Sequence, residues 1–141
     1  MFKTRIAEPN DAAALVPLLQ ELGYEVTADF LTPKLRGLAD GVTDRVVLAL
    51  EGEAIVGLIG CSSLELLHVA GRLGRITVLV VASTHRRAGM GAALVAEAEN
   101  YLRSIGCVRV EVTSREQRAD AHAFYESLGY AQSSKRFVKA L

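Results

Sequence analysis

Val80-Val81-Ala82-Ser83-Thr84-His85-Arg86-Arg87-Ala88-Gly89-Met90-Gly91-Ala92-Ala93-Leu94 is the stretch that decides how this chain folds. Two β-branched residues close an apolar, strand-like run. A basic turn follows, then two glycines one residue apart, then a run of helix-forming residues. Glycines at 89 and 91 let the backbone turn sharply and leave its N–H groups uncovered by side chains. Those N–H groups open a helix, so they lack intrahelical acceptors and lie at its positive end. Arg86 and Arg87 add two guanidinium groups whose geometry suits phosphate oxygens. The combination predicts a pyrophosphate cradle.

Two familiar cradles are excluded. The phosphate loop of nucleotide hydrolases follows its second glycine with Lys and Ser or Thr, and that pair is absent here. The dinucleotide fingerprint requires a third glycine three residues after the second, where this chain has Leu94.

Working outward, residues 75–82 read as a buried central strand, because the run is strongly β-branched. Before it, strands over 45–50 and 54–64 flank a turn at Glu51-Gly52-Glu53, a hairpin signal. The segment 65–74 has no clear period. At the N-terminus, residues 2–7 alternate as an opening strand, and Pro9-Asn10-Asp11 supplies helix-start chemistry. Leu15, Leu18, Leu19 and Leu22 then share a helical face up to Gly23, with Pro17 predicting a kink or a late start. Residues 27–39 read as a second helix, with Pro33 marking its first turn.

Downstream, Met90, Leu94, Ala98, Leu102 and Ile105 form the apolar stripe of a helix that Gly106 ends. Residues 107–113 read as a strand. Residues 118–128 read as a helix carrying Ala121, Phe124, Tyr125 and Leu128 on one side, capped by Gly129. A final strand is expected from Tyr130 through 136–139. The order β-α-α-β-β-β-α-β-α-β predicts an α/β fold built on a mixed sheet, with helices on both faces. The 141 residues fit one domain, 1–141.

Sixteen basic and sixteen acidic residues cancel, so no global field draws the chain to nucleic acid or to a membrane surface. Neither is expected as a partner. Cys61 and Cys107 both lie in apolar runs. With no apolar signal core after Met1, they point to packing thiols in a reducing cytoplasm. His85 and His122 have no cysteine or carboxylate at metal-ligand spacing, so no metal is expected.

The pattern Arg86-x-x-Gly89-x-Gly91 resembles the acyl-CoA loop of the GNAT superfamily of N-acetyltransferases. Ala121-His122-Ala123-Phe124-Tyr125-Glu126-Ser127-Leu128-Gly129-Tyr130 is similar to that superfamily's second signature, matching at Ala121, Phe124, Tyr125, Leu128, Gly129 and Tyr130. The motifs stand in the expected order, and the resemblance covers nearly the whole chain. It departs at Ser83, where many relatives carry proline, and at Arg118, where many carry asparagine.

The resemblance implies a fold in which two adjacent parallel strands splay apart and acetyl-CoA lies between them as co-substrate. It assigns the cofactor's arm to the backbone of Leu79, Val80 and Val81. The pyrophosphate falls to Arg86, Arg87, Ala88, Gly89, Met90, Gly91 and Ala92. It places Tyr125 as the acid that protonates the departing thiolate, a role its phenol suits, being protonated at neutral pH. Glu111, in Val110-Glu111-Val112, resembles the base of some relatives; a water chain is the other route. The expected reaction moves an acetyl group directly to a primary amine of a small molecule or peptide. An acyl-CoA-binding module without turnover is the alternative. The amine's identity carries no transferable code, and the homodimeric state stays open. Glu21, Glu25, Asp29, Glu65 and His68 fall in segments that line the acceptor side in this superfamily.

Overall fold

The computed structural model describes residues 2–86, 88–113, 119–134 and 136–141. Five strands, β1 (Lys3–Ile6), β2 (Asp44–Glu51), β3 (Ala54–Glu65), β4 (Arg72–Val81) and β5 (Cys107–Val112), form one sheet in sequence order. Neighbours are antiparallel except β4 and β5, which are parallel and joined by α3 (Met90–Ser104). Parallel neighbours need such a crossover, because a tight turn only joins antiparallel strands.

The stripe on α3 covers one face. Met90, Leu94, Val95, Ala98 and Leu102 are buried against Val47, Ala49, Val56, Ile59, Cys61 and Ile76. The other face is covered by α1 (Ala12–Glu21) and α2 (Ala28–Asp40). There Ala12, Leu15, Leu18, Leu31 and Leu35 pack on Leu48, Leu58 and Val80. Leu48 lies between Val47 and Ala49 yet joins the opposite cluster, as strand alternation requires. The last helix, α4 (Ala119–Ser127), lies on the α3 side, with Phe124 and Tyr125 against that core.

Four readings of the sequence change or sharpen. Pro33 sits inside α2, whose N-cap is Thr27: the Thr27 hydroxyl accepts from the Phe30 N–H at 3.1 Å. Pro17 likewise lies inside α1, which begins at Ala12 after a single 3-10 turn. The segment without a period turns at 66–71 and then enters β4, which starts at Arg72. The expected last strand does not form among the described residues: 130–134 and 136–141 belong to no ladder, and Phe137 is 93% exposed. Its apolar residues have no sheet face to lie on.

One irregularity sets the geometry of everything that follows. Along β3 and β4, Gly60 pairs with Val78 but Cys61 pairs with Ile76, leaving Thr77 as an extra residue. This β-bulge turns the strand over. Ile76 packs towards α3, as do Leu79 and Val81, whereas Val78 and Val80 face α1 and α2. Gly60 makes the room, since a Cβ there would stand 2.9 Å from Val78 Cγ1 and 3.0 Å from Thr77 Oγ1.

Candidate active site

The parallel ladder between β4 and β5 ends at Ile76 and Val112, one residue before the bulge. From there β4 continues to Val81 paired only with β3 among the described residues. β5, the last strand of the sheet, ends at Val112, so among the described residues the β5 side of β4 is open beyond Ile76. The Ala82 N–H donates to Val56 O at 2.8 Å. Antiparallel alternation then directs the peptide groups of Val80 to β3, and those of Leu79 and Val81 into the opening. Of the three residues expected to meet a cofactor arm, Leu79 and Val81 turn their peptide groups to that side, the Val81 carbonyl accepting from Arg86 Nε, while Val80 contributes a side chain buried under α1 and α2.

At the top of the opening, Gly89 caps α3 with φ of 79°, a left-handed conformation. Glycine is needed there for the backbone alone, since a Cβ would meet nothing within 4 Å. The first helical bond runs from the Ala93 N–H to Gly89 O at 3.1 Å. The N–H groups of Met90, Gly91 and Ala92 consequently have no acceptor within the helix and lie at its positive end. Ala88 is exposed beside them. Gly91 also meets a packing need that the sequence did not show. Its missing Cβ would lie 3.3 Å from Phe124 Cζ, so it lets α4 seat against the first turn of α3. Gly91→Val should lower stability by about 1–3 kcal/mol through overpacking. Adding Phe124→Ala should return part of that loss, read as a positive coupling between the two sites in thermal unfolding.

Arg86 is held from two directions. Its Nε donates to Val81 O at 3.2 Å, and its Nη2 approaches Glu21 Oε1 at 3.4 Å. The same Glu21 oxygen accepts from the Ser83 N–H at 3.0 Å. The end of α1 thus fixes the loop leading into the Gly89 turn, a tie across 62 residues of chain that local spacing cannot show. His85 faces Glu51 of the β2–β3 hairpin at 3.1 Å. Arg87 and Arg118 lie outside the described residues.

Tyr125 stands in an aromatic run. Its ring meets Phe124 edge-on at 5.1 Å and Tyr130 at 5.7 Å, and Tyr130 donates to Glu99 Oε2 at 2.7 Å. Burial raises the Tyr125 phenol above its ordinary value, which keeps it a proton donor through neutral pH. Glu111 lies on the other side of the sheet. Val110 and Val112 pack towards α3, so alternation turns Glu111 to the α1/α2 face, where Arg75 Nη2 donates to its Oε1 at 3.2 Å. The candidate acid and the candidate base therefore lie on opposite faces of the sheet. Glu65 pairs loosely with Arg72 at 3.7 Å, and His68 is exposed.

Both cysteines are free. Burial pushes the Cys61 thiol up to about 11 and raises Cys107 as well, so neither is a ready nucleophile. Among the described residues, no three His, Cys, Asp or Glu side chains gather as a metal site.

A parallel strand pair whose ladder stops short beneath a glycine-capped helix is the arrangement of an acetyltransferase, and comparison with known proteins agrees. The sequence model of the Acetyltransferase (GNAT) family matches residues 13–130, and the chain belongs to that family. It is 37% identical over 127 residues to an aminoalkylphosphonate N-acetyltransferase of Salmonella typhimurium strain LT2, covering 88% of this chain and 78% of that one. In fold it is similar to a transcriptional regulator from Bacillus halodurans C-125 (TM-score 0.89, 24% identity, all of both chains). It is similar also to glucosamine-6-phosphate N-acetyltransferase from Arabidopsis thaliana (TM-score 0.85, 22% identity, 99% and 98% of the chains). By class the chain is an N-acetyltransferase.

Proposed function

We propose that this enzyme transfers the acetyl group of acetyl-CoA directly to the primary amine of a small aminoalkylphosphonate. The observation that carries the reading is the end of the β4–β5 ladder at Ile76 and Val112, with Tyr125 on one face of the sheet and Glu111 on the other. The acceptor class is supported by the Salmonella relative.

The residues fit the co-substrate. The peptide groups of Leu79 and the N–H of Val81, whose carbonyl is held by Arg86 Nε, offer the amides of a pantetheine arm the pairing that a sheet edge gives an added strand. The helix terminus at Met90, Gly91 and Ala92 suits a pyrophosphate, with Arg86 beside it. In the reaction the amine nitrogen loses a proton to Glu111 and attacks the thioester carbonyl carbon. The C–S bond breaks, the sulfur takes the Tyr125 phenolic proton, and the phenolate takes the second proton of the former ammonium group from the new amide nitrogen. Among the described residues no helix is long and apolar enough to cross a membrane. The free thiols support a reducing, cytoplasmic setting.

The test is release of free thiol from acetyl-CoA on adding 2-aminoethylphosphonate, with the acetylated amine identified by mass. Saturable release with that product supports the reading. Acetyl-CoA binding without release for any amine would leave a binding module in its place.

A further inference from the structure

We propose that Arg75, Arg109 and Glu111 form a reader for zwitterions, in which the arginines take the tetrahedral oxyanion of the acceptor and Glu111 takes its ammonium group. This rests on the acetyltransferase reading above and names the residues that select its acceptor.

The parallel ladder sets Arg75 opposite Glu111 and Leu73 opposite Arg109. In-register neighbours point to the same face, and the intervening Gly74, Val110, Ile76 and Val112 lie towards α3. Three ionic side chains therefore share the α1/α2 face of two adjacent strands, beginning one register step below the point where the ladder ends. On β3, Ser62 stands in register with Arg75 and adds a hydroxyl to the same row. The Arg75–Glu111 pair is 44% and 45% exposed, so it contributes little to the fold. Leu73 beside it is buried at 6%.

A pair of opposite charges at 3.2 Å is a template for a molecule carrying the same two charges in reverse. An aminoalkylphosphonate is such a molecule. Its phosphonate replaces Glu111 on the Arg75 fork, a geometry that guanidinium groups favour. Its ammonium occupies the carboxylate thereby released, so no charge is left unpaired by the exchange. Arg109 supplies a second cation for a dianion. The ammonium is then held near the end of the ladder, with Glu111 in place to accept its proton.

Three acceptors separate the features being read: 2-aminoethylphosphonate, 2-aminoethyl phosphate and propylamine, the last with no anionic end. Arg75→Met should lower the kcat/KM ratio of either phosphorus acceptor over propylamine by about 10–100-fold, the effect of losing a charge-assisted bond. The double variant Arg75→Glu with Glu111→Arg keeps an ion pair but reverses it. It should retain the melting temperature while losing calorimetric binding of 2-aminoethylphosphonate to the CoA-loaded protein. An unchanged ratio in Arg75→Met, or retained binding in the reversed pair, would overturn the reader and leave the acetyltransferase reading standing. Absence of thiol release from the wild-type enzyme with all three acceptors would instead overturn the function, and the reader with it.

Discussion

Tyr125→Phe lowers turnover by about 10²–10⁴-fold, the range that general acid catalysis spans, and leaves the fold in place. The ring keeps its edge contacts with Phe124 and Tyr130, so the aromatic run persists. Only the proton is lost, and the thiolate must leave unprotonated. Acetyl-CoA affinity and melting temperature should move little, because one hydroxyl contributes about 1 kcal/mol. The pH profile gives a second check. An acid works only while protonated, so the wild-type rate falls as pH rises through its pKa. Burial has raised that pKa, which places the descending limb above the ordinary tyrosine value. The Phe variant should lose that limb. Turnover within about threefold of wild type would remove Tyr125 from the chemistry.

Leu102→Ala gives the largest loss of stability, about 2–5 kcal/mol. Leu102 is fully buried on α3 and lies against Gly74 of β4, where an added Cβ would come within 2.8 Å of Leu102 Cδ1. Removing the side chain opens a hole in the layer that joins α3 to β4. At the usual scaling for a chain of this size, the melting temperature should fall by about 5–15 °C. Gly74→Ala is destabilising in the wild-type background, where it collides with Leu102. In the Leu102→Ala background its methyl group fills part of the hole. The two substitutions should therefore be far from additive in thermal unfolding.

The sequence made the scaffold around these residues readable wherever one period dominates. The α3 stripe from Met90 to Leu102 is buried as its spacing predicts, and the family's two motifs led to the right class. Other features were hidden for physical reasons. The bulge at Thr77 sits in a strand-forming run, and threonine is at home on a strand, so nothing in the residue types marks the change of face. Pro33 imitated a helix start because proline is at home in a first turn, although the helix already begins at the Thr27 cap. Gly91 stood in a phosphate motif, and its packing against Phe124 depends on an element more than thirty residues away. The Glu21 tie to Ser83 and Arg86 has no local signature at all. Glu111 was legible as a charge on a strand, but its pairing with Arg75 follows from the ladder.

The bulge in β4 resembles a dislocation in a crystal row. Above and below Thr77 the two strands are out of phase by one residue, and Gly60 marks where the offset lies. Sliding β4 along β3 would carry the offset away from Gly60 and bring Thr77 and Val78 against Ile59 or Cys61. The strands therefore have one setting and cannot drift. That offset is thus pinned at a fixed height below the Gly89 turn. The sheet becomes a ruler, with the end of the β4–β5 ladder at one mark and the N-terminus of α3 at the other.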